Sequence, residues 1–353
     1  LEINGMGNGI LNDDYITTAN INTVTSLDVN NQSISDLTGL EDFIALTELI
    51  CEGNQLTSLD VSGNIALTHL KSRYNQLTSL DINNNTALIY LECDENQLTS
   101  LDVSNNINLI SFSCYNNQLT SLDVSNNTSL EELDCFDNQL TSLDVSNNTT
   151  LTAFQVRGNQ LTSLDVSNNA ALIGLDCGDN QLTILDVSNN ISLEGLECYD
   201  NQLTILDLSL NTALTWLECD DNQLTSLDLR NGNNTNLNVS IIDNTNLTCI
   251  DVDDPTWSSN NWTVANGNID AQHYFSNDCS AMSFDCTDSL EVTDVIIDNT
   301  NLTMNIAIYN GYNYFLNYPY VAFTIDANGD TIQAGNMNLF GAINFDTTWY
   351  NYS

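Results

Sequence analysis

From Glu48 to Leu229 the apolar residues fall on a fixed grid. In the stretch Thr128 to Thr150, Leu130, Leu133 and Cys135 alternate with Glu132, Asp134 and Phe136. That alternation predicts a short strand with one buried face. Ten residues on, Leu140, Leu143 and Val145 repeat the inward set, with Thr141, Asp144 and Ser146 outward, predicting a second extended segment. The whole unit then returns every 21 residues: Asn138 has counterparts at Asn54, Asn75, Asn96, Asn117, Asn159, Asn180, Asn201 and Asn222. No single coil can bury its leucines alone, so coils must stack. The expected fold is a β-rich solenoid of 21-residue coils with short parallel strands. Asn138 and Asn148 close the two extended segments, where an amide can satisfy backbone groups that strand pairing leaves unmatched.

Outside the regular units the pattern changes in stages. Residues 1–23 carry no repeat and are expected to form an N-terminal cap, partial as it stands. Val24 to Ala45 reads as a longer first unit, with Ile34, Leu37, Leu40 and Phe43 at helix-like threes. The grid loosens at Arg230 to Asn236 and returns once, at Leu247, Thr248, Ile250, Asp251 and Val252. The repeat array is therefore assigned to 24–252, a cap to 253–282 and a further domain to 283–353. In that last part the period becomes two: Leu302, Met304, Ile306 and Ile308 alternate with polar neighbours, and Asn328-Gly329 is a hairpin signal. It reads as the start of an antiparallel β-sandwich-like domain, incomplete at Ser353.

The spacing Leu-x-x-Leu-x-Cys-x-x-Asn-x-Leu resembles that of leucine-rich repeat proteins. The ten-plus-eleven nesting is similar to their short bacterial class, and the long first unit resembles the repeats of internalin-like proteins. The segment from Cys249 to Cys279 resembles the C-terminal cap of secreted repeat proteins of the Bacteroidetes group. These resemblances imply a secreted or outer-surface protein, with export by the type IX route and contact with an outer-membrane or secretion complex.

Charge narrows the partners. Four Lys and Arg stand against 47 Asp and Glu, a formal charge of -43. Such a chain repels phosphate, so nucleic acid and anionic membrane surfaces are poor partners. No apolar run approaches the length of a membrane span.

Seven of the ten cysteines, from Cys51 to Cys219, occupy one inward column. Parallel side chains on successive coils are badly oriented for bridging, so these read as buried thiols rather than disulfides or a metal-thiolate ladder. Cys249 instead falls in the outward column of Ser142. It is expected to pair with Cys279 and fasten the cap, contributing about 3 kcal/mol through loop entropy and implying an oxidising compartment. Cys286 is left over.

Two outward surfaces hold the candidate chemistry. One is a column of aspartates, among them Asp102, Asp123, Asp144, Asp165 and Asp186. Carboxylates on coils about 4.8 Å apart repel one another. Hydrogen bonds from neighbouring Thr and Ser hydroxyls, or bound Ca²⁺, would offset that repulsion. No cofactor is required. The other surface is the strand face, which varies from coil to coil as a contact surface does. Its candidate ligand-binding residues are His69, Lys71, Arg73, Tyr74, Tyr90, Tyr115, Phe136, Arg157, Tyr199 and Trp216. The basic trio also fits a cross-strand ion cluster with Glu52, Glu92 and Asp94. Exposed aromatics on a rigid face suit a protein loop first and a polysaccharide second. Two histidines lie in different regions, with no nucleophile, phosphate-loop or metalloprotease motif, so catalysis is not expected. The function expected is binding and adhesion at the cell surface. The competing expectation is a stiff acidic spacer or secretion cargo presenting a downstream domain.

Overall fold

In a computed structural model of the chain, residues 21–280 are described in full, and beyond them the backbone of seven strands between Leu290 and Tyr352. Residues 1–20, most of the expected N-terminal cap, lie outside the described residues, as do Cys286 and Asn328-Gly329. The chain divides into two compact units, Leu1–Cys279 and Ser280–Ser353.

The first unit is a parallel β-solenoid. Each coil contributes one three-residue strand, and eleven of these, from Ser26–Asp28 to Asn238–Ser240, form one continuous sheet. Because the repeat length is constant, pairing is in register and like stacks on like. Leu91, Phe112, Leu133, Phe154 and Leu175 are successive central residues, each at most 2% exposed. Within one coil Leu130, Leu133, Cys135, Leu140 and Val145 are fully buried. Each large side chain among them contributes roughly 1.5–3 kcal/mol by leaving water. The seven column thiols are buried too, and burial pushes the Cys51 thiol up to about 12. Ser72 and Val156 interrupt their column.

Asparagine amides tie coil to coil. Asn138 Nδ2 donates to the carbonyls of Cys114, Cys135 and Phe136 at 3.1, 3.1 and 3.3 Å, while its Oδ1 accepts from Leu119 N–H at 3.0 Å. Asn148 Nδ2 donates to Val124 and Asn127 carbonyls at 3.0 and 2.9 Å. The corner before each strand-closing asparagine is left-handed: Asp137 has φ 51° and Asp179 φ 49°. Asp and Asn tolerate that region better than other side chains. At Gly158 (φ 62°) a Cβ would meet Asp137 Oδ1 at 2.1 Å, so a larger residue there requires that carboxylate to swing aside.

Two expectations change. The second extended segment forms a hydrogen-bonded strand only near the array's end, where Ile205–Asp207, Ser226–Leu229, Cys249–Val252 and Tyr274–Ser276 make a four-stranded sheet. Earlier coils keep the inward leucines, but side chains take the donors: Leu140 N–H goes to Asn159 Oδ1 and Ser146 N–H to Asp144 Oδ1. The first long unit holds no α-helix either. Gly39 at φ 96° starts a single 3₁₀ turn, Leu40–Asp42, and the buried Leu40 and Phe43 pack from that turn.

The cap follows the last coil. Asp254 Oδ1 accepts from Thr256 and Trp257 N–H at 2.9 and 3.0 Å, starting the helix Pro255–Asn261 with Pro at its first position. Buried Trp262 donates its indole N–H to Leu237 carbonyl at 3.2 Å and packs edge-on against Trp257 and Phe275. Cys249 and Cys279 form a disulfide, with Cα atoms 5.8 Å apart. Asp251, at the end of the aspartate column, is nearly buried and accepts from Cys279 N–H at 2.7 Å. In the second unit Leu290–Asp298, Thr303–Asn310 and Thr348–Tyr352 form an antiparallel sheet, and Thr324–Ile325 pairs antiparallel with Thr331–Gln333.

Candidate functional site

The eleven-stranded sheet presents two columns of outward side chains, because alternate residues of each three-residue strand point to opposite faces, and a third column follows two residues past each strand. Parallel in-register pairing then sets each residue beside its counterpart one coil away.

At the N-terminal end the basic trio is committed to neighbouring acids. Lys71 Nζ lies 2.7 Å from Glu92 Oε1, and Arg73 Nε 2.6 Å from Glu52 Oε2. Arg73 Nη1 reaches Glu92 Oε2 at 3.6 Å. His69 stacks on Tyr90, ring centroids 4.6 Å apart. The cross-strand ion cluster is thus the arrangement present, each partly exposed pair worth about 1 kcal/mol or less. Tyr74 stands at a left-handed corner (φ 55°), half exposed, with the Arg73 guanidinium 5.9 Å from its ring.

The middle of the face holds a continuous stack that the sequence reading named only residue by residue. Tyr115 and Phe136 rings lie parallel with centroids 4.2 Å apart, and the Arg157 guanidinium sits 4.3 Å over Phe136. Arg157 Nε pairs with Asp176 Oδ2 at 3.2 Å, and the Tyr199 phenol interacts electrostatically with its guanidinium. Tyr199 reaches it because position 178 is glycine: a Cβ on Gly178 would stand 2.5 Å from the Tyr199 ring. Four of the candidates therefore form one ladder: two stacked rings, a cation over the second, and the Tyr199 phenol beside that cation. Under its N-terminal end Asp94 is 1% exposed and accepts from Ser113 Oγ at 2.9 Å. Burial raises the Asp94 carboxyl above the usual carboxylate range. Burial, then the charges of Glu132 and Asp94, raise Asp134 to about 6.

Trp216 belongs to neither group. It is 44% exposed and lies beside Gly195, which is beside Gly174 and then Ala153. The glycines carried no signal until the columns were read in register. Ile184, Ile205 and Leu210, well exposed around a surface recess in the second half of their coils, were also passed over.

The aspartate column is organised within each coil. Oδ1 of Asp102, Asp123, Asp144, Asp165 and Asp186 each accepts from the serine N–H two residues on, at 2.9 Å. These bonds from serine, side chain and backbone, hold the carboxyls below their ordinary range. Among the described residues no three His, Cys, Asp or Glu side chains are grouped so as to hold a metal ion. Nor is any helix there long and apolar enough to cross a membrane.

No protein-family model matches the chain. A stretch of 51 residues is 49% identical to Internalin J of Listeria monocytogenes, covering 14% of this chain and 6% of that protein. A solved structure described as the functional domain of InlJ from the same organism, including a cysteine ladder, is 38% identical with a TM-score of 0.57. That likeness covers 67% of this chain and 61% of the other. A leucine-rich repeat protein of Leptospira interrogans is 26% identical with a TM-score of 0.55, over 59% of this chain and 57% of its own. Coil length, buried leucines, asparagine ladder and these likenesses agree: the chain is a leucine-rich repeat protein with internalin-like homologues.

Proposed function

We propose that the chain is a non-catalytic binding module that docks a partner protein on its variable strand face, outside the cell. The observation that carries this reading is the Tyr115–Phe136–Arg157–Tyr199 ladder, a rigid, partly exposed aromatic and cationic surface in the middle of an in-register sheet. Aromatic and arginine anchors dominate binding energy in protein interfaces, and a preorganised sheet spares the ordering cost of a loop. The Cys249–Cys279 disulfide supports an oxidising compartment. The cap's resemblance to secreted Bacteroidetes proteins supports type IX export as the carrier, with adhesion as the role and a polysaccharide as the second choice of ligand.

The spacer reading rests on a different observation: the aspartate half of each coil is nearly invariant along the array and is saturated by its own bonds. Saturable capture of a surface protein by the immobilised chain separates the two. A binder loses its partner with Phe136→Ala and Tyr199→Ala; a spacer captures nothing saturable in either form. The His69, Lys71 and Arg73 triple variant then tells whether the ion cluster joins the contact or only ties its coils.

A further inference from the structure

The C-terminal half of the strand face carries a feature the aromatic ladder does not explain. In the first outward column the side chains vanish over three consecutive strands: Glu132 is followed in register by Ala153, Gly174, Gly195 and then Trp216. A Cβ built on Gly174 or Gly195 meets nothing within 4 Å, so no neighbouring side chain, Trp216 included, folds over this strip. From Ala153 to Trp216 the strip is about 14 Å long at the usual strand spacing. That is the length of about four extended residues.

Beside the strip, in the adjacent column, Asp176, Glu197 and Glu218 occupy successive rungs in register. The chain has four Lys and Arg in all. Lys71 and Arg73 are spent on Glu52 and Glu92, Arg157 on Asp176, and Arg230 on Asp228 and Asp251. Among the described residues no cation stands within ion-pair distance of Glu197 or Glu218. Burial, and then the neighbouring acids, raise both carboxyls above their ordinary range, an effect that Arg157 offsets only in part at Glu197.

We propose that this trough, ended by Trp216 and flanked by Asp176, Glu197 and Glu218, docks an extended arginine- or lysine-bearing segment of the partner protein. The proposal rests on the strand-face reading and adds the partner's chemistry to it. Charge complementarity selects the occupant. A guanidinium or ammonium supplies the counter-charge that the chain lacks, and the half-exposed Trp216 ring offers a face for it to stack on. A bare divalent ion suits the site less well, since no three acidic groups converge there. A second copy of this chain brings another -43 and is repelled.

The test uses deca-arginine as probe, titrated calorimetrically into the whole chain at physiological salt. Three variants are compared: Glu197→Gln with Glu218→Gln, which removes the charge; Gly195→Leu, which fills open space on an unstrained strand; and Asp102→Asn with Asp123→Asn, which removes equal charge elsewhere. The expected result is that the first two weaken binding about tenfold or more while the third changes it about twofold or less. Equal weakening by all three means unspecific polycation binding and overturns the site. Spermine or Ca²⁺ binding at the trough as tightly as the peptide overturns the protein-segment assignment. Neither outcome touches the strand-face reading: a captured partner lost with Gly195→Leu but kept with the charge-neutral pair leaves that reading standing and removes the cationic chemistry alone.

Discussion

Asn138 and Asn147 are both asparagines of the same coil array, yet their environments make opposite predictions. Asn138 is 8% exposed and makes four bonds to backbone groups of two coils. Asn138→Ala leaves the Leu119 N–H without its acceptor and removes one of the two donors to each of the Cys114, Cys135 and Phe136 carbonyls, and is expected to cost about 1–3 kcal/mol, read as a lower melting temperature. Asn147 lies in the open with one bond to Ser125 carbonyl, and Asn147→Ala is expected to cost about 0.5 kcal/mol or less. Equal effects would mean the amide ladder does not hold the coils. Titration is also decided residue by residue. Asp134 binds its proton more tightly folded, at about 6, than at the ordinary 3.8. Its ionisation therefore opposes folding: the contribution is full below 3.8 and is lost as pH rises through 6. Asp134→Asn is expected to raise the melting temperature at pH 7.5 and leave it unchanged at pH 3.5. The aspartate column has the opposite sign, since its depressed carboxyls stabilise above 3.8 and lose that contribution as pH falls below it.

At the level of elements, the coil was legible in the sequence. Of the contacts across coils, the ion cluster of Lys71 and Arg73 with Glu52 and Glu92 was legible, while the backbone bonds and the aromatic ladder were not. Leu130, Leu133, Cys135 and Asn138 recur without insertion, and a buried column accepts only what stacks on itself, so period and inward face could be read directly. The second extended segment was read as equal to the first because Leu140, Leu143 and Val145 share its spacing. Spacing reports burial and says nothing about which donor takes which acceptor, and Asn159 and Asp144 take them here. The helical reading of Ile34 to Phe43 failed for a related reason: threes also suit turns, and Gly39 turns the chain there. The aromatic ladder needed register, since Tyr199 reaches Arg157 only across the missing side chain of Gly178. The same bonds give an element-scale prediction for metal. Each aspartate of the column is held by its own coil, so a chelator is expected to leave the thermal melt unchanged; a clear fall would establish Ca²⁺ between coils. Reduction of Cys249–Cys279, which closes 30 residues, is expected to cost about 3.5 kcal/mol by loop entropy. With Cys286 changed to serine, the seven column thiols should stay silent to a thiol reagent in the native state.

On the scale of the molecule, the solenoid divides its labour. One half of every coil repeats almost unchanged and secures stacking; the other carries the variable residues on a sheet that stacking has made rigid. The net charge of -43 sets which partners can approach, and with every Lys and Arg engaged in an ion pair the chain has no cation to spare. Along the strand face the last cation in chain order is Arg157, and Glu197 and Glu218 beyond it have no ion-pair partner among the described residues. The most direct measurement is equilibrium binding of a captured surface protein to the intact chain and to two variants. One carries Phe136→Ala and Tyr199→Ala on the strand face, the other Asp102→Asn and Asp123→Asn on the aspartate half. A saturable isotherm lost in the first variant and preserved in the second is the predicted result. An isotherm that survives the loss of both aromatics, or falls with the aspartates, would contradict a binding site on the strand face.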